Sequence, residues 1–346
     1  MTLLWIEGFE GYEDSTPDPP DPTMILNRYI ISADEDVMDM AAGRYTNSKA
    51  LKWPVSFNRS MTTPDLGAQT RMITGFNFQL SGGPTIQRTL LVFVEVGGND
   101  SVDGMNVRLE NSGELSVYRG GTNIATTSGL GLTGSTWYHL TFDVTLGNSP
   151  NGAYELKIDG STVLSGSSMD TQSGSTQEFR WVRLWANNNV NVTWDDWWID
   201  NATNHGEARV HAIYPDAAGD DTDWTPDSGN NYDRVNETDG IDEDTSYVES
   251  GTSLDTDLYN YDSLPTGVLS DVVGIQINTD ARTTNAGFQT LETVCKSGTT
   301  ESNDAGTPLS GVNWRHCYRI MEQDPDTATA WTSSGLNSAQ FGMEVG

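Results

Sequence analysis

The chain is short of cysteine, histidine, basic residues and long apolar runs. It has two cysteines, Cys295 and Cys317, in 346 residues, too few for a disulfide framework. Each falls in a strand-like segment. A bridge between neighbouring strands is geometrically open, and two buried free thiols is the preferred reading. None of the four histidines neighbours a Ser or Cys in a nucleophile motif, and no Cys/His spacing suggests zinc. Lys and Arg total 18 against 49 Asp and Glu, for a formal net charge of −31. That balance argues against nucleic acid, because holding phosphate needs a basic patch, and against anionic membrane surfaces. No apolar run approaches the roughly 20 residues that span a bilayer, so no membrane insertion is expected. The N-terminus, Met1 to Glu7, lacks a basic region and Glu7 interrupts its apolar run, which predicts no signal peptide. Long helices are missing too. The best helical candidate, Asp34 to Ala42, is worth one or two turns.

What is present is the material of short strands and turns. Gly numbers 35, Trp 11 and Tyr 12, alongside abundant Ser, Thr, Asn and Asp. Met72, Phe76, Phe78 and Leu80 alternate onto one face, as do Tyr138, Leu140, Phe142 and Val144, and Tyr154, Leu156 and Ile158. Leu90 to Val96 reads as a central buried strand. Asn111-Ser112-Gly113 and Asp159-Gly160 read as hairpin turns, the second supplying the positive φ angles a tight hairpin needs. Phe179 to Trp185 and Val192 to Asp200 close the series. This predicts an all-β protein whose first domain, 1–204, is a two-sheet sandwich. After Asn204 the texture changes. Asp216 to Asp262 carries fifteen acids and one base, Arg234. Strand signals return at Val272 to Asn278, Phe288 to Cys295 and Val312 to Met321. A second, smaller β-sandwich, 205–346, is expected, with the acidic segment as its long loops.

Trp137-Tyr138-His139-Leu140, followed by Tyr154-Glu155-Leu156-Lys157-Ile158-Asp159-Gly160, resembles the paired strands of concanavalin A-like, laminin G-like jelly rolls. Leu4-Trp5-Ile6-Glu7-Gly8-Phe9-Glu10-Gly11-Tyr12 resembles the opening of phage-encoded versions of that domain, and Trp194-Asp195-Asp196-Trp197-Trp198-Ile199-Asp200 their closing strand. Ala208-Arg209-Val210 with Tyr214-Pro215, Asp244 to Val248, and Asp324-Pro325-Asp326-Thr327 with Trp331-Thr332 and Gly342 are similar to the C-terminal part of the same phage proteins. The resemblance implies a concanavalin A-like jelly roll and a tailed-phage structural protein exposed on the virion surface. Such a head fibre, decoration protein or neck or tail appendage would be assembled in the host cytoplasm, contact other virion proteins and form a homo-oligomer.

Two constellations carry chemistry. Trp181, Arg183 and Trp185 alternate on one strand, with Phe179 on the same expected face. Trp194, Asp196 and Trp198 alternate on the next, with Asp200. Aromatic rings beside Asp and Arg suit a sugar, stacking on its C–H face while charged groups bond its hydroxyls. The competing reading is that the rings fill the core. As a sugar platform these residues would make the chain a lectin-like adsorption protein binding a host surface glycan. Asp216, Asp220, Asp221 and Asp223, with Asp227, are candidate Ca²⁺ ligands. They lack the spaced loop that defines such sites, and a solvated acidic face is the alternative. A glycosidase is disfavoured. It needs two carboxyls at a fixed separation; the Glu-x-Asp-x-Glu run that the resemblance implies for sugar-cleaving relatives of this fold does not occur, and Asp196 and Asp200 would lie about 13 Å apart along a strand. The sequence therefore predicts a protein that is not an enzyme.

Overall fold

The computed structural model describes residues 2–12, 28–32, 39–53, 59–97, 100–186, 191–238, 240, 243–265, 271–284 and 288–346. The chain is all-β and divides into two compact units, Thr2–Val210 and His211–Gly346. The first unit extends six residues past the domain limit expected at 204. Residues 205–210 fold back onto its own sheet, as described below.

The first unit contains β1 (Leu3–Glu7), β2 (Ile30–Ser32), β3 (Asp39–Ala42), β4 (Lys49–Trp53), β5 (Arg59–Thr62), β6 (Arg71–Leu80), β7 (Arg88–Gly97), β8 (Asp100–Leu109), β9 (Leu115–Arg119), β10 (Thr122–Thr126), β11 (Trp137–Thr145), β12 (Gly152–Ile158), β13 (Ser161–Met169), β14 (Phe179–Ala186) and β15 (Val192–Asp200). They form two antiparallel sheets. The eight-stranded sheet runs β13-β12-β11-β6-β15-β4-β3, with β1 also on β15, and the seven-stranded sheet runs β10-β9-β8-β7-β14-β5-β2. Period-two alternation places Phe76, Leu140 and Phe142 from one sheet against Phe93, Val107 and Leu184 from the other, all fully buried. Phe93 and Phe142 stack across the two layers with ring centroids 5.2 Å apart. Removing such a ring costs about 3–5 kcal/mol. Asp159 and Gly160 turn β12 into β13 with φ of 48° and 77°, as a tight hairpin requires.

The opening and closing strands of the first unit are partners in space. β1 pairs with the second half of β15, Trp5 opposite Ile199 and Glu7 opposite Trp197, while the first half of β15 pairs with β4. At the change of partner β15 carries one extra residue between Asp195 and Trp198. Asp196 sits there at φ 53°, a left-handed conformation that Asp tolerates better than most residues. The helix expected over 34–42 is not formed in its last four residues, which are β3. Residues 33–38 lie outside the described residues.

In the second unit a six-stranded sheet holds Pro215–Thr222, Thr256–Tyr261, Gln340–Val345, Phe288–Ser297, Thr300–Asn303 and Thr307–Ser310, and a two-stranded sheet joins Ile275–Ala281 to Arg315–Met321. Cys295, Ile277, Met321, Trp331 and Phe341 pack into one core. The acidic segment is thus not only loop, since it supplies two strands of the large sheet. In the edge strand Pro215–Thr222, Asp216 and Asp220 point outward while smaller residues alternate between them, and outward charge on an edge discourages pairing with another chain. Cys295 and Cys317 are both free and buried. Burial pushes their thiols up to about 12 and about 11.

Candidate functional site

The six residues expected to form one platform are divided between the two sheets. β14 belongs to the seven-stranded sheet and β15 to the eight-stranded one. The extra residue in β15 also breaks the alternation. Trp194 stands opposite Phe78 and faces the core, its ring edge-on to Trp53 at 5.2 Å. Trp198 faces the other way, onto Gly75, where a Cβ would come within 2.4 Å of the indole. Trp194, Asp196 and Trp198 are 0%, 1% and 2% exposed, so none of them offers a surface to a ligand. This half of the expected platform is structural.

The other half is partly exposed. On β14, Val182 and Leu184 enter the core, while Trp181, Arg183 and Trp185 lie half-buried on the outer face. Phe179 departs from its expected companions. A bulge before Trp181 turns it inward, where its ring lies 5.4 Å from Phe93. Between Trp181 and Trp185 the register is regular, so their backbones stand about 13 Å apart with Arg183 midway. Arg183 is held in place. Its Nη1 lies 2.9 Å from Asp103 Oδ1, its Nε donates to Thr62 Oγ1 at 3.1 Å, and its guanidinium is 5.6 Å from the Trp185 ring centroid.

Strand pairing links this strip to the rest of the sheet. Tyr118, Asn106, Val92, Arg183, Thr62 and Ile30 lie opposite one another in one row over six strands. At its end, Arg108 lies 3.9 Å above the Tyr118 ring. Arg108 Nε donates to Asn106 Oδ1 at 2.9 Å, and one Nη donates to the Gly120 carbonyl at 3.1 Å. Asn106 in turn donates to the Gly104 and Gly120 carbonyls. Within this row Val92, Asn106, Thr62 and Tyr118 are buried, so the partly exposed aromatic and guanidinium groups of this face are Trp181, Arg183, Trp185 and Arg108. Tyr118, Asn106 and Arg108 had no signal in the sequence, because only the register brings them into line with Arg183.

A second polar cluster lies on the outer face of the eight-stranded sheet. Asn77 Nδ2 donates to Asp196 Oδ2 at 2.7 Å, and Arg44 Nη1 donates to Asn77 Oδ1 at 2.8 Å. His139 Nδ1 is 3.2 Å from the same oxygen. The Arg44 backbone N–H donates to Asp195 Oδ2 at 2.7 Å. Residues 205–210 close over this cluster. The Val210 N–H donates to Asp196 Oδ1 at 2.8 Å, Glu207 pairs with Arg44, Arg209 lies 4.2 Å over Tyr45, and Trp198 Nε1 donates to the Gly206 carbonyl at 3.2 Å. Burial, then the neighbouring Asp196, push Asp195 up to about 7. Burial pushes Asp196 up to about 6. Glu10 rises to about 9, through burial and then the charge of Asp195. Perturbed carboxylates often mark functional sites. Here both aspartates are covered by the chain itself, and the cluster's evident work is to staple residues 205–210 to the sheet.

The candidate Ca²⁺ ligands do not converge. Asp220 and Asp221 share Lys296 Nζ at 2.9 and 3.8 Å, and Asp216 and Asp223 are exposed. Among the described residues no group of three or more His, Cys, Asp or Glu is placed to hold a metal ion. Among them, too, no helix is long and apolar enough to cross a membrane.

No protein-family model and no curated protein matches the chain. Solved structures do. An endo-β-1,4-glucuronan lyase from the fungus Trichoderma reesei is 16% identical with a TM-score of 0.40, over 58% of this chain and 96% of the lyase. The alginate lyase Aly36B is 12% identical with a TM-score of 0.35, over 52% and 87%. A carbohydrate esterase of the Shiga toxin-encoding bacteriophage phi24B is 14% identical with a TM-score of 0.37, over 57% and 100%. All three are enzymes. The expectation of a protein that is not an enzyme is therefore corrected. It rested on a missing carboxylate run, a feature of one sugar-cleaving chemistry, and lyases and esterases are not bound by it. At these identities and TM-scores the likeness carries neither a substrate nor an active site to this chain.

Proposed function

We propose that this chain is a carbohydrate-recognition protein whose ligand rests on the outer face of the seven-stranded sheet. The observation that carries the reading is the half-buried strip Trp181–Arg183–Trp185, whose central guanidinium is fixed by Asp103 and Thr62. Indole rings give a sugar's C–H face a flat apolar contact, and an anchored guanidinium gives its hydroxyls donors that need no further ordering on binding. The resemblance of residues 4–12 and 194–200 to phage-encoded domains supports a place on the surface of a phage particle, in several copies, where such a face would meet the host envelope. A glycan array probed with the full chain and with Trp181→Ala and Trp185→Ala tests the binding role. Glycans retained by the native chain should be lost or weakened in both variants. Each reaction is also chromatographed for cleaved products, so that turnover is read alongside binding. Antibody labelling of intact particles tests the location, and label confined to opened capsids would defeat it.

A further inference from the structure

Arg108 stands out among the arginines of the seven-stranded sheet's outer face. Arg183 is neutralised by Asp103, and Arg180, the neighbour of Trp181, by Asp65 and Glu178. Arg108 has no carboxylate partner among the described residues. Its bonded acceptors, Asn106 Oδ1 and the Gly120 carbonyl, are both neutral. The nearest acid along its own strand direction, Glu110, is occupied by Gln87 Nε2 at 2.9 Å from each carboxyl oxygen, and the same amide reaches Tyr118 OH at 2.9 Å. In a chain with 49 acids and 18 Lys plus Arg, Arg108 lies over a tyrosine ring and its bonded acceptors are neutral.

The register shows what such a group would meet. Leu91 on β7 stands opposite both Leu184 of β14 and Val107 of β8, and Trp185 and Arg108 are the next residues along those two strands. Arg108 therefore stands two strands across from Trp185, about 10 Å away. A sugar stacked on Trp185 would reach Arg108 with its neighbouring unit. The Nε and one Nη bond are already made, and the guanidinium's remaining N–H groups form the planar fork that fits a carboxylate.

We infer that the glycan is acidic and that Arg108 takes the carboxylate of the sugar unit next to the one stacked on Trp185. The inference rests on the carbohydrate-binding reading above. The net charge of −31 opposes an approaching anion over about 8 Å at physiological salt. Selection for the acid must then come from this short-range pair.

The test is calorimetry at physiological salt with the full chain. The probes are a uronic acid-containing oligosaccharide and the same oligosaccharide with its carboxyls reduced to alcohols. The native chain should bind the acid about tenfold more tightly. Arg108→Gln should bind both at the level of the reduced form, and Arg108→Lys should recover part of the preference, a pattern that mere loss of packing would not give. Trp185→Ala should weaken both forms together. Equal affinity of the native chain for both forms, with Trp185→Ala still weakening them, would overturn this inference and leave the binding role standing. No heat with either probe, together with an empty glycan array, would overturn both.

Discussion

Replacing Asp196 with Asn removes one of two adjacent buried carboxylates that the fold holds partly protonated at neutral pH. Asp195 rises from 3.8 to about 7 and Asp196 to about 6. A carboxyl whose folded value is raised binds its proton more tightly in the native state than in the unfolded chain. Its contribution is fully present below the unfolded value near 3.8 and is lost as pH rises through the folded value. For Asp195 alone, the rise from 3.8 to about 7 corresponds to about 4 kcal/mol lost between pH 4 and 7. The two aspartates titrate as a pair, so their contributions do not simply add. Glu10, raised to about 9, extends the loss to more alkaline pH. Asp200 acts the other way. Burial pushes it up, but the His205 hydrogen bond and two backbone N–H groups outweigh that and hold it low, so it contributes stability that is lost in acid. Comparing the variant with the native chain cancels that contribution. Asn tolerates the positive φ at position 196, and it keeps an oxygen to accept from Asn77 or Val210. Denaturant unfolding followed by tryptophan fluorescence at pH 5, 6, 7 and 8 should show the native chain losing several kcal/mol across the series. The variant should start lower at pH 5 and lose less than half as much. Parallel curves for the two proteins would refute the buried-pair account.

Two further outcomes follow from burial. Trp194→Ala should destabilise the first unit by about 3–5 kcal/mol while leaving the glycan affinity of the folded fraction unchanged, as denaturation curves paired with calorimetry will show. Cys295 and Cys317 should resist an aromatic disulfide reagent in the native chain at pH 8 and react together once the second unit is unfolded, because their thiols are buried and raised to about 12 and about 11.

The strands of the first unit were largely legible because their side chains alternate. Met72, Phe76, Phe78 and Leu80 announce β6 by period two alone. The hairpin at Asp159-Gly160 was legible because its φ angles demand those residue types. Of the two alternations expected to share a face, only that of Trp181, Arg183 and Trp185 is kept. An extra residue in a strand shifts every later side chain to the opposite face, and the bulge at Asp196 sent Trp194 and Trp198 to different sides. The twin acids Asp195-Asp196 inside a Trp-rich strand were its only trace in the sequence. Consecutive strands often neighbour one another, yet β14 and β15 lie in opposite sheets. Arg108 and Tyr118 could not be joined to Arg183 without the register of β7, β8 and β9, which long-range packing decides. In the second unit, Ala217 and Gly219 carry too little apolar surface to signal the strand that alternates them with Asp216, Ala218 and Asp220.

The central claim is that the Trp181–Arg183–Trp185 face holds a carbohydrate. It is tested most directly by titrating a glycan retained on the array into the native chain and into Trp181→Ala and Trp185→Ala, with circular dichroism confirming that each is folded. Loss of an aromatic anchor should weaken binding by about 1–3 kcal/mol in each variant, with Trp194→Ala as the buried control. Undiminished binding by both folded variants, or no glycan bound by the native chain, would contradict the account.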